Sequence, residues 1–337
     1  MAGVAVHAAG VDTWSPCWYV DRDSLAADWL DDLATVPTAR GALLPEPIAG
    51  HRVGWNRAAG MLYAEGHPSP DGLCSPDRLP DRLGELVAGL LAADVPVPPG
   101  VTEDVWTAGM GSVRESGFAG VRRLDSTVDL AVDSTAQGLA IMAGVAAVAR
   151  DAPRCVAEVF FSADGSGVET VYLRGSSGRK VLGRMYDKGR ESASAPRGML
   201  LRPEDQRRFV KGTRRDVGEL TAPYVRERFA QRFYPLYQAS KGVTVAGPII
   251  LAQKLADAVE RGDLSAAQAE RVAGHMLLSA AARRGRGGVS RATGYRRKAL
   301  ARELGLVLAD GVVQEVEVDL HEVLERALDE PGWGAQG

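Results

Sequence analysis

The sequence predicts an α/β protein of the α+β kind: an antiparallel or mixed sheet with helices packed on it, followed by a C-terminal helical, winged-helix-like module. Three observations point there. Between residues 121 and 189, a strand-like segment and an apolar helix precede three strand-like segments joined by Gly- and Ser-rich turns. Beyond Gly242 the pattern changes to helical periodicity. The 337 residues, 45% hydrophobic and 25% charged, have ordinary globular composition and suffice for one large domain and a smaller one.

Taken in order, Val11 to Val20 reads as an opening strand, and Ser24 is placed to cap a helix that runs to Ala34. Residues 41–55 and 66–81, rich in Pro, Gly and Asp, read as loops. DRLGELVAGLLAA (81–93) is a short amphipathic helix stopped by VPVPPG (95–100). VRRLDSTVDLAVD (121–133) alternates as a strand does, and a buried helix covers 135–150. The longest apolar run, LAIMAGVAAVA (139–149), is about half a membrane span. VAEVFFSA (156–163), VETVYLRG (168–175) and Val181 to Lys188 then form a three-strand meander. Residues 203–239 read as helical and basic at their start. Helices at 247–261 and 264–283, a basic loop, a third helix capped by Thr293 and ended by Gly305, and a hairpin turning at Asp310 and Gly311 follow in winged-helix order. The helix 319–329 and the tail PGWGAQG read as peripheral. These boundaries give two domains, 1–240 and 243–330.

A net charge of −3 hides an asymmetry, because residues 1–100 carry 13 acids against 6 bases while 283–298 carry seven cations and no acid. That block holds Arg283, Arg284, Arg286, Arg291, Arg296, Arg297 and Lys298. It is either a solvated face or a polyanion footprint, and its place in the winged-helix order makes it a candidate contact for duplex DNA. Cys17, Cys74 and Cys155 are odd in number and lack a CxxC spacing, which argues against a disulfide framework and a structural zinc site. No basic n-region of a signal peptide is present at the N-terminus. The expectation is a soluble, cytoplasmic protein that does not engage a membrane.

The chemistry concentrates in the middle of the chain. Asp125, Thr127 and Asp129 share one face of a strand because side chains alternate with period two. Glu169 opens the next-but-one strand and Asp187 follows Tyr186. Oxygen ligands from three strands suit Mg²⁺ or Mn²⁺. Arg184 and Lys188 flank Tyr186, and cationic neighbours favour a phenolate whose ordinary pKa, about 10, is too high for attack at neutral pH. On the residues alone, the carboxylates also read as solvent-facing strand positions and Tyr186 as a plain sheet aromatic. Consecutive strand residues face opposite ways, so Tyr186 and Asp187 reach one site only if the strand ends or bulges at 186–189. No Ser/His/Asp set, GxxxxGK[ST] loop or HExxH is present, and His7, His51, His67, His275 and His321 read as surface or structural groups.

The order Arg123-Leu124-Asp125 with Asp129, then Glu169-Thr170-Val171-Tyr172, then Arg184-Met185-Tyr186-Asp187-Lys188 with Glu191, then Arg202-Pro203-Glu204 resembles the Rep_trans class. These are replication initiators of rolling-circle plasmids, integrative elements and phages, with relaxases of some conjugative elements as cousins. The resemblance covers roughly residues 11–235 and implies an architecture like that of HUH nucleases without the His-hydrophobe-His motif. It further implies metal-dependent nicking and joining at an origin, with Tyr186 forming a 5′-phosphotyrosine. Asp125, Glu169 and Asp187 match the metal-holding positions, Asp129 and Glu204 being possible additions, while Arg184 and Lys188 support the transferring phosphate. Implied partners are origin DNA, single-stranded or hairpin at the nick and duplex under the basic module, a host helicase and a second copy of the chain. Pro203 departs from the family's strand and predicts an edge or a helix start there. The same chemistry serves a conjugative relaxase. A non-catalytic DNA-binding regulator using only 243–318, or an interaction protein with solvated charged strands, are the competing readings.

Overall fold

The computed structural model describes residues 4–329 and Trp333, except 35, 40, 71, 99–103, 108–110, 115–116, 151, 153–154, 162–166, 176–180, 192–195, 197, 211–212, 283–303 and 309–315. They fall into two compact units. One comprises Met1–Ala8, Val128–Glu204 and Phe229–Glu330; the other comprises Ala9–Thr127, Asp205–Arg228 and Pro331–Gly337.

The unit centred on Ala9–Thr127 is built on β1 (Val4–Tyr19), α1 (Leu25–Leu33), β2 (Val36–Thr38), β3 (Gly41–Leu43), β4 (His51–Asn56), β5 (Met61–Gly66), α2 (Leu79–Ala92) and β8 (Gly117–Val132), with β6 (Asp104–Thr107) and β7 (Gly111–Arg114) pairing separately. Its strands run in the order β2-β3-β4-β5-β1-β8, and from β2 to β1 each pairing is antiparallel. Ser24 caps α1 as expected, its side chain accepting from the Ala27 amide. β1 begins at Val4, ahead of the predicted Val11, because the small residues before Val11 carry little strand signal of their own. The loop expected at 41–55 is corrected: β3 lies in it and β4 covers its end, whereas the described residues between β5 and the turn that leads into α2 form the expected loop. Within 41–55 glycine reads as a breaker, yet Gly54 pairs directly with Tyr63, whose ring occupies the space a Cβ would fill. Trp14, Trp18, Trp55 and Leu62 are buried, as are Leu30 of α1 and Leu86 and Leu90 of α2. Trp333, in the tail, is not peripheral either: it is 2% exposed and its carbonyl accepts from the Ser75 hydroxyl.

Cys17 and Cys74 are free thiols, and burial pushes both pKa values up, away from reactivity. His51 is structural. Its Nε2 accepts from the Trp14 indole at 2.8 Å and its Nδ1 donates to the Ala49 carbonyl at 2.7 Å, so the neutral ring uses both nitrogens. Burial lowers its pKa below the ordinary 6.5. A histidine depressed in the folded state contributes stability that is complete above the unfolded value and is lost as pH falls from there toward the folded value. Chemical denaturation is therefore expected to show stability declining on acidification below pH 6.5, with a shallower decline in His51→Gln. Equal slopes in the two proteins contradict this assignment.

The other unit takes the end of β8, α3 (Thr135–Ala149), β9 (Cys155–Phe161), β10 (Val168–Gly175), β11 (Val181–Asp187), α4 (Lys188–Glu191), the start of β12 (Leu200–Arg208), α5 (Ala222–Ala239) from Phe229 onward, β13 (Thr244–Ala246), α6 (Pro248–Glu260), α7 (Ala266–Ala282), β14 (Leu306–Leu308), β15 (Glu317–Asp319) and α8 (Leu320–Asp329). The sheet order is β8-β12-β11-β10-β9, with β10 antiparallel to both neighbours. α3 is apolar on all sides because it is covered on two: it packs on β9, β10 and β11 and also on β13, β14, β15 and α8. Gly144 permits that second contact, since a Cβ there would sit 2.4 Å from Val245 Cγ2.

Three expectations are corrected in this unit. Residues 200–208 are a strand, β12, that lies between β8 and β11, neither an edge nor a helix start. Pro203 removes a single ladder donor, which the strand tolerates. The C-terminal hairpin does not form over the described residues: β14 and β15 flank β13, parallel and antiparallel to it respectively. α8 buries Leu320, Val323, Leu324 and Ala327, so it belongs to the core. The expected third helix and the turn at 310–311 lie outside the described residues. Among the described residues, no helix is long and apolar enough to cross a membrane.

Candidate functional site

Alternation along β11 puts Arg184 and Tyr186 on one side of the strand, and cross-strand register extends that side over β10 and β9. Tyr186 stands opposite Thr170, which stands opposite Phe160. In the next row Arg184 faces Tyr172, which faces Glu158. From β12, the other neighbour of β11, Glu204 reaches the same residues. The Tyr186 hydroxyl donates to Glu204 Oε2 at 3.2 Å. Arg184 grips the same carboxylate with two hydrogen bonds of 3.0 and 2.9 Å, and its guanidinium carbon lies 4.3 Å from the centre of the Tyr186 ring. Gly183 has no side chain to hold the strands apart; a Cβ there would be 3.0 Å from the Glu204 carbonyl. Two residues earlier on β12, Arg202 pairs with Asp129 of β8 through bonds of 2.5 and 2.7 Å. Exposure rises outward: Glu204 and Tyr186 are 1% and 3% exposed, Arg184 and Tyr172 are half-buried, and Phe160 is 45% exposed.

Asp187 and Glu169 serve a different place. β11 ends at Asp187 and α4 begins at Lys188, the change of backbone expected at 186–189. Both Asp187 oxygens accept from the Gly198 amide, at 3.0 and 2.9 Å. That glycine is clasped against α3, because a Cβ on Gly138 would fall 1.7 Å from the Gly198 carbonyl. Asp187 thus pins the chain between α4 and β12 to the first turn of α3. The β9–β10 register shifts between Val168 and Thr170, which makes Glu169 the residue of a bulge. One guanidinium serves both acids: Arg190 Nη1 is 2.5 Å from Glu169 Oε2, and its Nε is 3.7 Å from Asp187 Oδ2.

Asp125 belongs to the other unit. It is buried and bonded to Arg123, which also holds Glu65 at 2.5 Å. A hard divalent cation needs several carboxylate oxygens turned toward one point. Asp125, Glu169 and Asp187 already neutralise arginine or bind a backbone amide, and among the described residues no three or more Asp, Glu, His or Cys gather as a metal-holding group. In this arrangement they do not fit the ion. Lys188 is half-buried at the head of α4, and the side chain of Glu191 lies outside the described residues. So do Arg283, Arg284, Arg286, Arg291, Arg296, Arg297 and Lys298.

Glu204, expected only as a possible addition because Pro203 obscures its strand, is a hydrogen-bond partner of Tyr186. Phe160 and Tyr172 were not expected at the site; the alternation of VAEVFF and ETVYLR, set in register with LGRMYD, is the signal that would have placed them there.

No protein-family model matches the chain, and no curated protein matches it. A solved structure, that of a rolling circle replication initiator protein from Geobacillus stearothermophilus, is similar at a TM-score of 0.29 and 13% identity, over 63% of this chain and 77% of that one.

Proposed function

We propose that the chain is a DNA nicking and joining enzyme of the replication-initiator type, with Tyr186 as its nucleophile. The observation that carries the reading is a phenol hydroxyl bonded to a carboxylate that a guanidinium also holds, Tyr186, Glu204 and Arg184. A core tyrosine needs one acceptor; it does not need a bidentate cation stacked on its ring as well.

In the proposed reaction the Tyr186 oxygen attacks a backbone phosphorus of single-stranded or hairpin DNA. The bond from phosphorus to the phenol oxygen forms as the bond to the 3′ oxygen breaks. Glu204 takes the phenol proton, and the departing 3′ oxygen takes one from water. The 5′ phosphate stays on the protein, so the bond energy is kept and joining is the reverse step. Arg184 covers the phenol ring, and a phosphate draws it away because the same planar fork fits phosphate oxygens. It then neutralises the charge that grows on them. Arg283 to Lys298 hold the adjoining duplex. The resemblance also implies a divalent cation, but the three acids it assigns to the ion are otherwise engaged.

The test is incubation with a pool of randomised, labelled single-stranded oligonucleotides, with Mn²⁺ or with EDTA, followed by a denaturing gel. A labelled band at the mass of the protein is expected in at least one arm. Retarded complexes in a native gel with no denaturation-resistant band in either arm would make the chain a DNA-binding regulator.

A further inference from the structure

We infer that Phe160 and Tyr172 form a base-stacking platform that holds the nucleotides beside the phosphate attacked by Tyr186. The placing of the platform rests on the reading of Tyr186 as nucleophile; its capacity to bind does not.

The register fixes the layout. Phe160, Thr170 and Tyr186 lie in one cross-strand row, and Glu158, Tyr172 and Arg184 lie in the next. Two inter-strand spacings put Phe160 about 10 Å from Tyr186 along the row, close enough that a base stacked there belongs to nucleotides next to the reacting phosphate. Thr170, small and half-buried, leaves the space between the two rings low. The Phe160 and Tyr172 rings meet edge to face, centroids 5.4 Å apart and planes at 80°. Each ring therefore fixes the orientation of the other, which lowers the ordering cost of stacking a base on Phe160. The Arg174 guanidinium carbon lies 5.8 Å from the Tyr172 centroid, and Arg174 is tied to Glu158 by a 2.6 Å bond.

The chemistry of the face selects its occupant. Phe160 is 45% exposed at the outermost strand of this sheet, where a large aromatic gains by being covered. An apolar protein partner would have to strip water from Glu158, Arg174 and Arg184 as well, and desolvating ionic groups costs several kcal/mol per ion. A single-stranded nucleic acid offsets that loss at the two guanidiniums, to which its phosphates offer oxygens, and its bases offer π-faces to the rings, while Glu158 keeps its bond from Arg174.

The test is fluorescence anisotropy of a labelled mixed-sequence single strand, with Tyr186→Phe as the non-cleaving parent. Phe160→Ala/Tyr172→Ala is expected to weaken binding roughly 10- to 100-fold, from the usual worth of stacking per base. Phe160→Trp/Tyr172→Trp is expected to bind like the parent, with the emission of its added indoles quenched by the oligonucleotide. Undiminished affinity in the alanine pair overturns the inference. Unquenched indoles overturn it too, even if the alanine pair fails to fold. Loss of affinity in the alanine pair, together with no covalent adduct from the protein that keeps Tyr186, refutes the nucleophile and leaves the platform standing. An adduct with undiminished affinity in the alanine pair does the opposite.

Discussion

Tyr186→Phe is expected to abolish the covalent protein–DNA adduct, and Glu204→Gln to slow its formation by about 10²- to 10⁴-fold, the usual worth of a positioned proton acceptor. The two changes separate the roles. Phenylalanine keeps the ring under Arg184 and removes only the oxygen that attacks. The loss of the bond to Glu204 costs about 1 kcal/mol, because Glu204 keeps both bonds from Arg184. Glutamine keeps the size of Glu204 and an acceptor for the hydroxyl but cannot take up the proton. Binding of single strands should survive both. The check is adduct yield against time on a denaturing gel, with anisotropy in parallel. A Glu204→Gln enzyme as fast as its parent would leave the carboxylate with a packing role only.

Asp129→Ala is the substitution expected to cost most in stability, about 3–5 kcal/mol, the usual penalty for leaving a buried charge without its partner. Asp129 and Arg202 side chains are 7% and 6% exposed and meet through two hydrogen bonds between neighbouring strands, so the lost carboxylate breaks a buried ion pair. Replacing both, Asp129→Leu with Arg202→Met, should recover most of the loss, since an apolar pair has no charge to solvate. Urea denaturation of the three proteins is the check. A single variant within about 1 kcal/mol of the parent, the range of exposed pairs, would mean that water reaches this pair.

What was legible in the sequence follows from how much of the local signal survives packing. The meander of β9, β10 and β11 was readable because its strands alternate and its turns are marked by Gly and Ser. The opposed facing of Tyr186 and Asp187 follows from period two, but the change of backbone after Asp187 does not bring the two to one site as expected: Asp187 goes to Gly198 and Tyr186 to Glu204. β3 and β4 were hidden because Gly54 reads as a breaker until Tyr63 is seen to cover it. β12 was hidden by Pro203, and with it the partner of the candidate nucleophile. β13 has three residues, too few to show any period, yet it takes both strands expected to form a hairpin. Long-range pairing decides such cases, and a single sequence does not display it.

The most direct test of the account is to find where DNA attaches. The denaturation-resistant complex formed with the randomised single-stranded pool is digested with protease and nuclease and sequenced by mass spectrometry. The account predicts a 5′-phosphonucleotide on the peptide that carries Tyr186, and on no other tyrosine. A nucleotide on a different residue, or a pool that leaves the protein unmodified with and without Mn²⁺, would contradict it.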